Sequence, residues 1–267
     1  VSAMSAVAPA WDARHCLVTG GARGIGLAVT QALLARGARV TMLGRSPVAA
    51  DRLPQLAGSA GAAARLQAVS ADVADPAAVR AAFAQAAGRF GAMDTLVNNA
   101  GQAESVPFAK MDMALWNKML AVNLTGTMVC TQAALPGMLS AGWGRVVNVA
   151  STAAQRGYAY VSAYCAAKHG VLGLTRALAL ELATKGVTVN AVCPGYTETD
   201  LLKDSIANIV AKTGRSEDEA RAQLAAGNPQ KRLVQPDEVA SAVLWLCEDS
   251  AGAVTGQGIS VSGGEVM

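Results

Sequence analysis

Short β-branched runs alternate with longer segments rich in alanine and leucine along most of the chain. The runs fall near residues 15–19, 39–43, 66–70, 94–98, 145–149, 187–192 and 258–261. Apolar positions at helical spacing cover residues 24–36, 76–90, 111–139, 158–184 and 236–249. The segment 46–58 contains Pro47 and Pro54 and is predicted to form a poor helix at best.

This alternation predicts right-handed crossovers between parallel strands. The runs at 145–149 and 187–192 are apolar on both sides, which is typical of strands covered by helices on both faces. We therefore predict an α/β fold, in which one Rossmann-like domain contains a doubly wound parallel sheet of about seven strands. The domain is expected to span residues 13–267, and the Ala- and Ser-rich residues 1–12 are expected to be disordered.

The region 200–232 breaks the alternation because it is charged and amphipathic and lies between Pro194-Gly195 and Pro236. We predict that it forms a helical lid over a substrate. Its cations would suit a phosphorylated carrier at the rim, or they simply pair with neighbouring carboxylates on a solvated helix. The apolar positions expected to face the pocket are Leu201, Leu202, Ile206 and Ile209.

Composition excludes several classes of protein. Hydrophobic residues make up 52% of the chain and aromatic ones only 4%, which predicts a core of small aliphatic side chains. The net charge of +3 is scattered, so no nucleic-acid partner is expected. The uncharged run 119–144 contains Asn123, Gln132 and Pro136, which indicates a buried helix and a turn rather than a membrane span.

The five cysteines are widely spaced, and no two of them form a CxxC motif. This spacing indicates neither a metal site nor a disulfide framework. Free buried cysteines in a reducing cytoplasm are the expected state.

A glycine-rich segment, Gly20-Gly21-Ala22-Arg23-Gly24-Ile25-Gly26, joins the first predicted strand to the first predicted helix. Glycines allow positive φ angles and a close approach of backbone to a pyrophosphate, and the helix N-terminus offers free N–H groups to it. The segment therefore predicts a dinucleotide site. A tight turn without a ligand, or the similar loop of a methyltransferase, would also explain the glycines alone.

Further motifs occur downstream in a fixed order. They are Asp72-Val73, Asn98-Asn99-Ala100-Gly101, Asn123, Ser151, Tyr164-x-x-x-Lys168 and Pro194-Gly195. Together with the TGxxxGIG spacing from Thr19 to Gly26, this set resembles the short-chain dehydrogenase/reductase family over nearly the whole chain. A methyltransferase has no use for the tyrosine and lysine, so that alternative is dropped.

The resemblance implies a catalytic set of Asn123, Ser151, Tyr164 and Lys168. The tyrosine and lysine lie at i and i+4, so a helix places them on one face, where the ammonium is expected to lower the phenol pKa. Ser151 is expected to hydrogen-bond the substrate oxygen. Asn123 is implied to hold a water that links the lysine to solvent.

The second strand ends at Gly44 and is followed by Arg45. Because an arginine attracts a 2′-phosphate where a carboxylate would repel it, NADP(H) is favoured, with NAD(H) as the alternative. The residues expected to bind the cofactor are Gly20, Gly21, Arg23, Gly24, Ile25, Gly26, Arg45, Asp72, Val73, Asn99, Ala100, Gly101, Tyr164, Lys168, Pro194, Gly195, Thr197 and Thr199.

The stretches around Ser151, Tyr164 and Pro236 resemble 3-oxoacyl thioester reductases, polyketide ketoreductases and 3-hydroxyacyl-CoA or 3-hydroxybutyrate dehydrogenases. The resemblance implies a carbonyl or acyl-thioester substrate and a homotetramer. A general ketone reductase that uses NAD, or a catalytically silent dinucleotide-binding regulator, are the alternatives. The residues expected to contact the substrate are Ser151, Gln155, Tyr158, Tyr164 and Tyr196.

Overall fold

Seven parallel strands form one sheet in the computed structural model, which describes residues 9–267 except for the side chains of Leu201, Asp204, Asn208 and Lys212. The strands are β1 (His15–Thr19), β2 (Arg39–Gly44), β3 (Leu66–Ser70), β4 (Thr95–Asn98), β5 (Gly144–Val149), β6 (Val187–Pro194) and β7 (Gly258–Val261). Their order is β3-β2-β1-β4-β5-β6-β7, and each pairs in parallel with its neighbours. The predicted doubly wound α/β fold is confirmed.

Helices cover both faces of this sheet. They are α1 (Gly24–Ala35), α2 (Leu53–Ala57), α3 (Ala60–Ala63), α4 (Pro76–Phe90), α5 (Met113–Leu120), α6 (Gly126–Ala141), α7 (Ser162–Leu182), α8 (Asp200–Thr213), α9 (Glu217–Ala225) and α10 (Pro236–Cys247). Two apolar clusters result, one on each face. Cys16 and Val18 point into the cluster with α1 and α10, while Leu17 between them points into the cluster with α4 and α6, as the period of two in a strand requires.

The carboxyl ends of the central strands meet at one edge of the sheet. Because β1 is flanked by β2 on one side and β4 on the other, the chain direction of the crossovers reverses there. In open α/β sheets this reversal leaves a crevice in which ligands bind. The glycine-rich loop after β1 and the loops after β4, β5 and β6 all leave the sheet at this edge.

The long helix predicted over 111–139 is interrupted. The structure has α5, then a π-helical turn over Ala121–Thr125, and then α6. A π turn holds an extra residue, which an apolar repeat with α-helical spacing cannot reveal. The helix predicted over 158–184 begins at Ser162 instead, and the poor helix at 46–58 becomes a 3₁₀ turn followed by α2.

The start of the chain is more ordered than we expected. Residues 1–8, which belong to the segment predicted to be disordered, lie outside the described residues. Trp11–Ala13 form a 3₁₀ turn, and the Arg14 guanidinium lies 4.1 Å from the Trp11 ring centre and donates from Nη1 to the Cys247 carbonyl at 2.7 Å. These contacts hold residue 11 in place, and the boundary at residue 12 stays a prediction.

Within the predicted lid region 200–232, residues 200–213 form α8 and residues 217–225 form α9, whereas 226–232 are not helical. In the part of the chain that the structure describes, no helix combines the length and the apolar character that crossing a membrane requires.

Candidate active site

The loop between β1 and α1 has the backbone geometry that its glycines predict. Gly20 and Gly24 have φ angles of 66° and 51°. A side-chain carbon at Gly26 would overlap the carbonyl oxygen of Gly20 and lie 2.6 Å from Asn99 Nδ2. Within the described residues, no side chain caps the start of α1 and its first turn holds no acid, so its N–H groups are available to an anion.

The segment after β4 fastens this loop. The Thr19 hydroxyl accepts hydrogen bonds from the backbone N–H groups of Asn99 and Ala100, both at 2.9 Å. The Asn99 amide donates to the carbonyl oxygens of Thr19 at 3.0 Å and Gly20 at 3.3 Å. Asn99 therefore holds the shape of the glycine-rich loop.

Ser151, Tyr164 and Lys168 meet at the carboxyl ends of β5 and β6. Ser151 lies two residues after the end of β5 and hydrogen-bonds the Tyr164 hydroxyl, while its Oγ also accepts from the N–H of Ala153 at 3.1 Å. Lys168 lies one turn after Tyr164 on α7, with Nζ 5.7 Å from the centre of the phenol ring. Its Nζ donates to the Val149 carbonyl at 2.8 Å, which fixes the ammonium at the end of β5.

Burial dominates the electrostatics of this trio. It raises the pKa of Tyr164 to about 12, and the hydrogen bond with Ser151 acts in the opposite direction. It also lowers the pKa of Lys168 to about 8. The expectation that Lys168 lowers the tyrosine pKa is thus wrong for the chain by itself, because removing the phenolate from water outweighs any attraction to the ammonium.

Thr199, one of the residues expected near the cofactor, lies beside the glycine-rich loop. The Thr199 methyl carbon lies 3.2 Å from where a side chain on Gly24 would be. Thr197 donates from Oγ1 to the carbonyl of Gly195 at 2.9 Å and pairs with Val234 in an isolated β-bridge, so the segment after Pro194 is held in place.

Two cations and one carboxylate occupy the outer part of the expected site. Arg23 and Arg45 are exposed, and Arg45 directly follows β2. Asp72 accepts from the N–H of Ala74 at 3.0 Å in the turn after β3, whereas Asp75 caps α4. Val73 packs against Gly126, where any side-chain carbon would lie 2.8 Å from it, so Val73 fixes α6 beside the site.

Known proteins are similar to this chain in sequence and fold. A sequence profile of the family described as short chain dehydrogenase matches residues 14–209. The chain belongs to the short-chain dehydrogenase family. This confirms the expected class of enzyme, an NAD(P)-dependent oxidoreductase that acts on CH–OH groups.

Relatives cover almost the whole chain. A putative ketoacyl reductase of the granaticin polyketide synthase from Streptomyces violaceoruber is 41% identical over 93% of this chain and 91% of its own length. The acetoacetyl-CoA reductase of Cupriavidus necator is 38% identical over 94% of this chain and 97% of its own. The crystal structure of a variant of actinorhodin polyketide ketoreductase with NADPH has a TM-score of 0.89 and 38% identity, and the match covers 96% of this chain and 98% of that one.

Asn123 lies in the π-helical turn between α5 and α6 and is fully buried. Its amide donates to the carbonyl oxygens of Gln102 at 2.9 Å and Met119 at 3.0 Å, and its Oδ1 accepts from the N–H of Gln102 at 3.2 Å. The same Oδ1 would lie 2.8 Å from a side-chain carbon on Gly101. Asn123 therefore anchors the loop after β4 beside Lys168, and its expected role in a proton relay stays a prediction.

The predicted substrate residues fall into two groups. Tyr158 and Tyr196 lie together with ring centres 6.3 Å apart at a steep angle of 81°. Gln155 instead faces β7, where it accepts from Ser260 Oγ at 3.0 Å and donates to the Gly258 carbonyl at 3.4 Å. Because both ends of its amide are occupied by the sheet edge, these contacts do not support the prediction that Gln155 lines the pocket.

Glu265 also lies in this region, although the sequence did not indicate it as a site residue. The Glu265 carboxylate hydrogen-bonds Tyr158 from the last turn of the chain. The sequence signal that could have revealed it is the pair Gly263-Gly264, which permits a sharp reversal just before an acidic residue.

Leu202 and Ile206 of α8, which were predicted to face the substrate pocket, instead pack within the lid. Leu202 and Ile206 are buried in a cluster with Ala220, Ala225 and Leu233, and Ile209 packs at its edge. Leu201 lies outside the described side chains. The lid therefore uses these residues to hold α8 against α9, because two short helices without the sheet beneath them need a core of their own.

Several of the described lid cations have hydrogen-bond or ion-pair partners in the lid or next to it. Arg221 contacts both oxygens of Glu198 at 2.7 and 2.6 Å, and Lys203 pairs with Asp200 at 3.1 Å. Arg215 hydrogen-bonds Gln223. This pattern favours the interpretation of a solvated helix over that of a rim for a phosphorylated carrier.

Proposed function

We propose that the protein reduces a 3-oxoacyl thioester or a related ketone with NADP(H). The observation that carries this proposal is the meeting of Ser151, Tyr164 and Lys168 beside an open glycine-rich loop. The named relatives that act on ketoacyl and acetoacetyl groups support the substrate class.

The residues present fit a nicotinamide dinucleotide. The uncapped start of α1, with no side chains on Gly20, Gly21, Gly24 and Gly26, suits a pyrophosphate. We place the adenine side near Asp72 and the nicotinamide side near the segment 194–199. When bound, NADPH supplies the hydride.

The side chains of this chain supply the proton and the orientation. Tyr164 is a protonated phenol because burial raises its pKa, so its hydroxyl can donate to a carbonyl oxygen. Ser151, which hydrogen-bonds that same hydroxyl, fixes the position of the oxygen. The carbonyl carbon gains the hydride and its oxygen gains the tyrosine proton. Lys168, held at the Val149 carbonyl, lies where its ammonium stabilises the phenolate that is left.

Arg45 and Arg23 support the choice of NADP(H), since both are exposed at the adenine end of the proposed site. Replacing Arg45 with Asp should reverse the preference for NADPH over NADH. The exchange of a charge-assisted contact for repulsion should change the ratio of kcat/KM by at least about tenfold. Equal use of the two cofactors by the parent protein would contradict this assignment.

The substrate is tested with a panel of simple ketones, 3-oxoacyl esters and 3-oxoacyl thioesters, each assayed with NADPH and with NADH. We expect the thioesters to have the highest kcat/KM with NADPH. A preference for simple ketones would instead indicate a general ketone reductase. Binding of NADPH without turnover of any carbonyl compound would indicate a regulator.

We also propose a homotetramer in the cytoplasm. Met113, Met128, Leu139 and Leu180 expose apolar surface on the helices α5, α6 and α7, which a second copy could cover. The five cysteines are free and buried, which fits a reducing compartment. A monomer in light scattering at micromolar concentration would refute the assembly.

A further inference from the structure

The last turn of the chain carries an acidic side chain back to the active site. Gly263 and Gly264 have φ angles of 61° and 92° and reverse the chain after Ser262. The N–H of Glu265 then donates to the carbonyl of Ser262 at 3.2 Å, and the N–H of Val266 donates to the Ser262 hydroxyl at 3.3 Å. Glu265 is therefore held by a defined turn rather than by a loose end.

Two glycines leave room for the carboxylate of Glu265. Oε2 would lie 3.1 Å from a side-chain carbon on Gly195, and Oε1 would lie 3.3 Å from one on Gly227. Gly195 belongs to the segment that follows β6 at the active-site edge. Two glycines thus permit the carboxylate to approach this edge closely.

Tyr158 connects the carboxylate to the catalytic loop. Its hydroxyl oxygen lies 2.6 Å from Glu265 Oε1 and 2.7 Å from Thr152 Oγ1. A phenol has one hydrogen and a carboxylate only accepts, so Tyr158 donates to Glu265 and accepts from Thr152. Thr152 is the residue after Ser151, and the carboxylate is therefore two hydrogen bonds away from the catalytic serine loop.

Tyr196 provides a second connection. Burial raises the pKa of Tyr196, and the charge on Glu265 raises it further. Tyr196 in turn contributes to the pKa of Tyr164, which burial mainly raises. Glu265 is thus close enough to Tyr196, and Tyr196 to Tyr164, to act on the pKa of the neighbouring phenol. Among the described residues, no cation forms an ion pair with Glu265, and the nearby Arg156 guanidinium instead lies 4.9 Å from the centre of the Tyr158 ring.

We propose that Glu265 is a specificity-determining residue that makes the wall of the substrate pocket negative, so that oxo acids with a free carboxylate are rejected in favour of neutral oxo esters and thioesters. The inference rests on the proposed function and narrows its substrate class. A carboxylate on the substrate would meet a second carboxylate in a partly desolvated place, where repulsion is stronger than in water.

The test compares acetoacetate with methyl acetoacetate, which carry the same oxo group and differ in charge. We expect the parent protein with NADPH to favour the neutral ester in kcat/KM. Glu265→Gln should reduce that preference by roughly tenfold, mostly through faster turnover of the acid. Glu265→Asp keeps the charge and should keep the preference. Tyr158→Phe removes the hydroxyl but not the carboxylate, so it should lower the rate for both compounds alike.

The dependence of the substrate preference on ionic strength distinguishes an effect of charge from an effect of shape. Raising the ionic strength should weaken the preference of the parent protein and leave that of Glu265→Gln unchanged. Equal losses for both substrates in Glu265→Gln, or a preference in the parent that salt does not alter, would overturn the inference. The proposed function fails separately, if the parent protein reduces no ketone, ester or thioester of the panel with NADPH. Should the parent protein reduce thioesters but neither of these two compounds, equal calorimetric affinities for the two would overturn the present inference.

Discussion

Lys168 shows how a single functional residue can lower the stability of the fold. Its side chain is buried with one hydrogen bond, to the Val149 carbonyl. Burial lowers its pKa from 10.5 to about 8, so the folded state binds the ammonium proton less tightly than the unfolded state does. Below pH 8 both states carry the charge, and the folded state bears the penalty of burying it.

We therefore expect Lys168→Met to be inactive yet more stable than the parent protein. At pH 7 the gain in the free energy of unfolding should be on the order of 1–3 kcal/mol, since one pKa unit corresponds to about 1.4 kcal/mol. The gain should shrink as the pH rises from 8 towards 10.5, because the parent lysine loses its proton in the folded state over that range. Urea unfolding at several pH values measures it.

Tyr164→Phe is the matched control for this variant. It removes only the hydroxyl that carries the transferable proton, so turnover should fall by at least about a hundredfold while NADPH binding is retained. A residual rate of a tenth or more of the parent rate would be too high for the proposed acid. A Lys168→Met protein that is less stable at pH 7 would show that the lysine supports the fold instead.

At the scale of elements, the sequence was most informative where an apolar run or a capping residue marks the bounds. The predicted bounds of β1, β3, β7 and α4 match the structure, because apolar runs and the Asp75 cap mark them. The π turn over Ala121–Thr125 could not be predicted, since the apolar repeat continues through it. The pairing of Glu265 with Tyr158 depends on residues 107 positions apart, which no local pattern encodes.

The same limit applies to the electrostatics of the active site. The spacing of Tyr164 and Lys168 correctly placed the two side chains on one helix, but it contained no information about burial. The direction of the tyrosine pKa shift was therefore wrong. The inward direction of Leu202 and Ile206 was also misassigned, because the sequence does not say that α9 packs against them.

The glycine-rich loop is the element on which cofactor binding should depend most. An alanine at Gly26 would overlap the carbonyl of Gly20 and the amide of Asn99. We expect Gly26→Ala to lower the free energy of unfolding by at least about 2 kcal/mol and to abolish NADPH binding, because the loop must open to admit the methyl group.

Gly88→Ala is a control with the same chemical change. Gly88 lies in α4, and a side-chain carbon there would meet nothing within 4 Å. Alanine should therefore stabilise the protein by roughly 0.5–1 kcal/mol without changing cofactor affinity. Thermal unfolding and NADPH titration of the two variants distinguish a loop that needs its glycine from a helix that does not. A Gly26→Ala protein that binds NADPH normally would contradict the assigned role of the loop.

At the scale of the whole molecule, the edge of the sheet opposite the active site holds a half-buried acid next to a buried base. Asp94 accepts hydrogen bonds from the backbone N–H of His15 at 3.0 Å and from the Thr95 hydroxyl at 2.9 Å. The His15 ring contacts the Gly91 carbonyl at 2.8 Å and the Thr41 hydroxyl at 2.7 Å. Burial raises the pKa of Asp94 from 3.8 to about 6 and lowers that of His15 from 6.5 to about 4.

These two shifts affect stability in opposite directions. The stabilising effect of protonated Asp94 is complete below pH 3.8 and is lost as the pH rises through 6. The stabilising effect of neutral His15 is complete above pH 6.5 and is lost as the pH falls through 4. Between about pH 4 and 6 the two slopes nearly cancel, so this pair makes the stability of the parent protein almost independent of pH in that window.

Removing either residue should reveal the pH dependence that the other one gives to the free energy of unfolding. In Asp94→Asn only His15 remains, and the free energy of unfolding should increase with pH between 4 and 6.5 relative to the parent protein, by up to about 1.4 kcal/mol per pH unit. In His15→Gln only Asp94 remains, and the free energy of unfolding should decrease relative to the parent as the pH rises from 4 to 6.

Urea unfolding of the three proteins across this range provides the measurement. The pair is at the opposite edge of the sheet from Tyr164, so turnover at neutral pH should change little in both variants. Two variants with the same sign of slope relative to the parent would show that the shifts assigned to Asp94 and His15 are wrong.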